Sequence, residues 1–96
     1  MLKPKDIETT LLKLKPQLSL QFNVSTIGYF GSFARNEQTA TSDVDILVEF
    51  TKPIGWELFD LQDLLEQELN RKVDLITINA LREQLKDDIL SQVKYV

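Results

Sequence analysis

Apolar residues near the start of the chain fall every three or four positions, with Ile7, Leu11 and Leu14 following Pro4. This spacing predicts a short amphipathic helix with proline in its first turn. Pro16 is expected to break or restart it, leaving a further turn or two through Leu18, Leu20 and Phe22 that Asn23 ends. Residues 24–30, dense in β-branched and aromatic side chains such as Val24, Ile27, Tyr29 and Phe30, predict a first strand that runs straight into Gly31-Ser32. A polar, turn-rich segment over residues 33–42 separates it from a second strand, marked by the alternation of Val44, Ile46, Val48 and Phe50 and closed by Pro53 and Gly55. Leu58, Leu61, Leu65 and Leu69 return to helical spacing, with Glu57, Asp60, Asp63, Glu66 and Glu68 on the other faces, and Asn70-Arg71 ends that helix. Residues 73–78 predict a third strand, and Leu81, Leu85, Ile89 and Val93 trace one face of a final helix.

Helices and strands in this order make an α/β (α+β) domain, with a small mixed sheet of about three strands flanked by helices. The helical crossover between the second and third strands favours a parallel pair with a right-handed connection, and the short turn between the first and second favours an antiparallel pair. Trp56, Phe59 and the leucines of the long helix exceed what one face of a small sheet needs. Leu58, Leu61 and Leu65 are expected in the core, and Trp56, at the helix start beside Pro53 and Gly55, is the candidate for a surface that meets a partner or a second copy.

Composition narrows the chemistry. With 96 residues, 43% hydrophobic and 27% charged, the sequence has material for one packed core, so residues 1–96 are read as a single domain. Eleven basic residues against fifteen acidic ones give a net charge of −4, which disfavours a long nucleic acid as substrate. The absence of cysteine and histidine excludes disulfide scaffolds, zinc fingers, thiol catalysis and imidazole bases, so any catalysis must rest on carboxylates. Neither a signal peptide nor a membrane-spanning apolar run is visible, and a cytoplasmic location is the expectation.

Three places carry candidate chemistry. Asp43 and Asp45 stand two apart at the start of the second predicted strand, which points both carboxylates to one face as a natural site for one or two hard cations such as Mg²⁺. A turn cap at Asp43 and an exposed strand end at Asp45 are the alternative. Asp74 interrupts an otherwise apolar strand. It either joins the first two carboxylates around a metal pair about 3.5–4 Å apart, as suits in-line displacement at phosphorus, or serves as an edge charge against aggregation. Gly31-Ser32, where the first strand ends, can hold phosphate oxygens with backbone N–H groups and the serine hydroxyl, or can be an ordinary turn. Arg35 is placed to meet a triphosphate or to pair with Glu37 or an aspartate.

Taken together, Gly31-Ser32-Phe33-Ala34-Arg35, Ser42-Asp43-Val44-Asp45-Ile46-Leu47-Val48-Glu49-Phe50 and Arg71-Lys72-Val73-Asp74-Leu75-Ile76 resemble the minimal nucleotidyltransferase (MNT) family of the DNA polymerase β superfamily, over about Ile7 to Val96. The resemblance implies a palm-like nucleotidyltransferase fold in which Gly31 and Ser32, with Arg35, hold the nucleotide phosphates. It assigns Asp43 and Asp45 to two Mg²⁺ ions and Asp74 to completing the catalytic metal site. Stand-alone members are typically antitoxins of HEPN/MNT toxin–antitoxin pairs, so the implied activity is transfer of AMP from ATP to a tyrosine hydroxyl of a HEPN toxin, with which a higher-order complex is possible. One departure stands out: members commonly have glycine after the Ala-Arg pair, and Asn36 stands here, a residue that tolerates a left-handed backbone. Two other functions compete, a module that neutralises its partner by contact alone and a transferase acting on a small molecule. The chain is not itself the nuclease toxin, whose active-site histidine it lacks.

Overall fold

Ile7, Leu11, Leu14, Leu18 and Phe22 are all buried, and this stripe carries one unbroken helix, α1 (Pro4–Phe22), in the computed structural model, which describes residues 1–96. Pro16 therefore does not break the helix. It sits on the exposed side between Leu14 and Leu18, and burying each of those leucines is worth about 1.5–3 kcal/mol, enough together to offset the ~3 kcal/mol that an interior proline costs. Asn23 ends α1 in the left-handed conformation (φ 57°), its N–H donating to the Leu18 carbonyl. Asn70 (φ 51°) closes α2 (Glu57–Leu69) in the same way, on the Glu66 carbonyl.

The sheet has four strands rather than about three: β1 (Val24–Phe30), β2 (Val44–Phe50), β3 (Val73–Thr77) and β4 (Lys94–Tyr95), in the order β3-β2-β1-β4. β4 pairs antiparallel with β1 and is only two residues long, too short for an alternation to announce it. β1 and β2 are antiparallel, and β2 and β3 parallel across the α2 crossover, as the connection lengths predict. The third strand stops at Thr77 and passes into a single 3-10 turn at Ile78–Ala80. The last helix, α3 (Glu83–Gln92), begins two residues after Leu81 and buries none of its residues fully.

One face of the sheet is dry. Ile27, Tyr29, Val44, Ile46, Val48 and Val73 point to it and pack with the buried stripes of α1 and α2 in a single core. The Tyr29 hydroxyl reaches the Glu8 carboxylate on α1, and burial followed by that neighbouring charge raises the phenol well above its ordinary pKa. Register places Gly28 opposite Leu47, and Phe30 opposite Asp45, on the other face. There Val93 lies over Gly28, where a Cβ would meet Val93 Cγ1 at 2.7 Å and the Lys94 carbonyl at 2.8 Å, so the segment after α3 crosses close against the sheet. No helix is long and apolar enough to cross a membrane.

Candidate active site

The second face becomes polar at one end. Val44 opens β2 facing the core, so the alternation turns Asp43 and Asp45 away from α1 and α2. In the parallel ladder Asp45 stands beside Asp74, which places the third carboxylate on the same face, one strand over. The geometry thus brings together the three aspartates singled out from the sequence. Asp45 is half-buried while Asp43 and Asp74 are exposed. Burial first, then the charges of Asp74 and Asp43, push the Asp45 carboxyl up to about 6 against an opposing pull from Arg35.

Gly31 follows β1 directly and is fixed by two independent demands. Its φ of +73° lies in the left-handed region, and a Cβ there would collide with Asp45 Oδ2, with Asp45 Cγ at only 3.0 Å. Only glycine lets the turn press against the carboxylate. In this turn the Gly31 carbonyl accepts from the Arg35 N–H (3.1 Å), that of Ser32 from Glu37 (2.8 Å) and that of Phe33 from Asn36 (3.3 Å). The amide N–H groups of Ser32, Phe33 and Ala34 donate to no protein acceptor, which is the condition for a phosphate cradle. Asn36 does adopt the left-handed conformation (φ 57°), which asparagine tolerates better than most residues.

Gly31, Ser32, Arg35, Asp43 and Asp45 line one open cleft of about 470 Å³. Of the two roles that the sequence allows, the structure shows Arg35 in the ion pair with Glu37. Its Nε donates to Glu37 Oε1 at 2.9 Å and its Nη1 to Gln92 Oε1 at 3.0 Å, and it still borders the cleft. Phe30, Ser42 and, from α3, Ile89 and Gln92 complete the lining; the sequence marks Ile89 only as part of a helix face and gives no signal for Gln92 beyond its three-residue spacing from Ile89. Asp74 stands just outside the lining, beside Asp45.

The carboxylates do not converge into a ready-made cage of three or more metal ligands. Their mutual repulsion, visible in the raised Asp45, opposes such a cluster when no cation is present. Their chemistry nevertheless fits Mg²⁺, which takes hard oxygen donors and is bound through one or two carboxylates together with water and substrate phosphates rather than by an all-protein cage.

Residues 12–96 match the polymerase beta nucleotidyltransferase family. The protein adenylyltransferase MntA of Thermococcus cleftensis is 38% identical over 97 residues, covering 100% of this chain and 98% of that one. The protein MJ1215 of Methanocaldococcus jannaschii, provisionally named a protein adenylyltransferase, is 48% identical over 77 residues, covering 79% of this chain and 90% of that one. Among solved structures, a chain from the complex of a tri-AMPylated HEPN toxin with an MNT antitoxin of Shewanella oneidensis superposes with a TM-score of 0.68 at 22% identity. The match covers 96% of this chain and 70% of that one, and at this identity it shows the fold. The fold, the strand register of its carboxylates and the extent of these matches agree that the chain belongs to the polymerase beta nucleotidyltransferase family.

Proposed function

We propose that this protein is a metal-dependent protein adenylyltransferase that moves AMP from ATP to a tyrosine hydroxyl of a HEPN-type toxin, and so acts as the antitoxin of the pair. The observation that carries the proposal is the juxtaposition of Asp43, Asp45 and Asp74 on one sheet face with the Gly31-Ser32 turn pressed against Asp45. The names of the relatives support the protein acceptor, and the solved toxin–antitoxin complex supports the partner class.

In this reading the free N–H groups after Gly31 and the Ser32 hydroxyl hold triphosphate oxygens, and Arg35 adds positive charge beside them. Asp43 and Asp45 hold Mg²⁺, with Asp74 completing the site. A metal held by these carboxylates would supply positive charge to the phosphates and so would ease attack on phosphorus. The acceptor oxygen forms a bond to the α-phosphorus as the bond to the bridging oxygen breaks, pyrophosphate leaves, and the hydroxyl proton passes to the Asp74 carboxylate.

The test is transfer from labelled ATP to a co-purified HEPN partner, read by intact mass of the partner with and without Mg²⁺. Asp74→Asn should remain folded and keep the partner complex while transfer falls by about 10²–10⁴. Near-normal transfer by that variant would remove Asp74 from the catalytic set. Full neutralisation of the partner with no transfer by the wild type would favour the contact-only function.

A further inference from the structure

Asp43 lies just before β2, so the sheet ladder does not by itself fix its backbone. Two other bonds do. The peptide group before it is held by Arg71, whose Nη1 donates to the Ser42 carbonyl at 2.9 Å, and the peptide group after it is held by Lys72, whose carbonyl accepts the Val44 N–H at 2.9 Å. Consecutive residues of one short connection therefore bracket Asp43 on both sides.

That connection is itself anchored. Arg71 follows the left-handed Asn70, and its own N–H donates to the Glu66 carbonyl at 3.3 Å, which ties it to the end of α2. Two residues further on, Glu66 Oε2 accepts the Val73 N–H (2.9 Å) and Gln62 Nε2 donates to the Val73 carbonyl (3.2 Å), which fixes the start of the strand that carries Asp74. On the other side, residues 39–42 fold on themselves, with the Thr39 N–H on Ser42 Oγ (2.8 Å) and the Ser42 N–H on the Thr39 carbonyl (3.2 Å). Arg71 is the only side chain that ties this turn to the body of the domain through Ser42. Arg71 makes no ion pair with a carboxylate, and its one side-chain bond is to the Ser42 carbonyl.

We propose that Arg71 is a positioning residue, which sets the Asp43 carboxylate for metal through its bond to the Ser42 carbonyl. The proposal rests on the reading of Asp43 and Asp45 as metal ligands. Groups that orient a metal ligand commonly contribute 10–100-fold to affinity.

The experiment titrates Mn²⁺ against purified protein by electron paramagnetic resonance, with and without AMP-PNP, and follows backbone amide exchange at Asp43 and Val44. Arg71→Met keeps the aliphatic stem and removes the donors. It is expected to bind Mn²⁺ about 10–100-fold more weakly and to exchange faster at those two amides, while circular dichroism stays native. Arg71→Lys, which can still donate to the carbonyl, should recover most of the affinity. If Arg71→Met does not fold, Arg71→Gln, too short to make the bond, takes its place with the same expectation. A folded variant that binds Mn²⁺ like the wild type would overturn the proposal, and so would the failure of both to fold, since Arg71 would then hold the domain rather than the site. Asp45→Asn in the same titration separates the two ideas. If it too binds Mn²⁺ normally, the metal-site reading fails, whereas loss in Asp45→Asn with retention in Arg71→Met defeats the Arg71 role alone.

Discussion

Asp45 is half-buried between two other aspartates and backed by the Gly31 turn. Its carboxyl takes up a proton at a higher pH in the folded state, at about 6, than its ordinary value of 3.8. A raised carboxyl contributes stability that is fully present below the ordinary value and is lost as pH rises through the raised one, so in the metal-free protein the contribution of Asp45 should be lost between about pH 4 and 6. Asp45→Asn should flatten that slope and raise the melting temperature at pH 7 without metal, while Mg²⁺ should stabilise only the wild type. Thermal unfolding from pH 4 to 8, with Mg²⁺ or chelator, checks both statements. A variant less stable than the wild type at pH 7 without metal would count against the raised carboxyl. In the proposed metal site, the stability given up at this residue is the cost of burying a carboxylate beside like charges.

At the scale of elements, α1 shows tertiary packing overriding a local rule. Pro16→Ala should restore the missing helix bond, worth ~3 kcal/mol less up to about 1 kcal/mol for the looser unfolded chain, and so stabilise the domain by about 2 kcal/mol in urea unfolding. A loss of stability would mean that Pro16 makes a contact the helix needs. The proline is visible in the sequence, but the continuity of the helix depends on Leu14 and Leu18 meeting the sheet, which spacing around a proline cannot reveal. β1, β2 and α2 were legible almost to the residue, because β1 is dense in β-branched and aromatic side chains, β2 and α2 are long enough to repeat their periods, and Gly31, the Pro53–Gly55 segment and Asn70 mark where they end. β4 was not, since its two residues are defined by pairing with Gly28 and Tyr29. The same division holds in the site. Asp43 and Asp45 share a face by strand parity alone, and the place of Asp74 follows from the parallel register, whereas Gln92 and Arg71 act through bonds to residues 57 and 29 positions away.

The whole molecule keeps its most exposed aromatic pair apart from its core. Trp56 is 84% exposed and Phe59 60%, and their rings stack at 5.8 Å beside the start of α2, as expected of a surface that meets another protein. In the proposed complex Trp56→Ala should weaken partner binding by about 2 kcal/mol or more while changing folding stability by less than about 0.5 kcal/mol, measured by calorimetry and by denaturant unfolding. Collapse of the fold would show that the ring belongs to the core. The two layers also differ in what holds them. α1 and α2 are pinned by buried stripes, but α3 buries no residue fully and hangs from a strand of two residues, with Val93 over Gly28 and Gln92 on Arg35. The cleft therefore has one wall that belongs to the slow clock of global unfolding and another that keeps a faster one. Amides of α3 should exchange with deuterated solvent well before those of β1 and β2, and AMP-PNP with Mg²⁺ should slow them selectively. Exchange of α3 at the pace of the sheet would show that this wall is as fixed as the other.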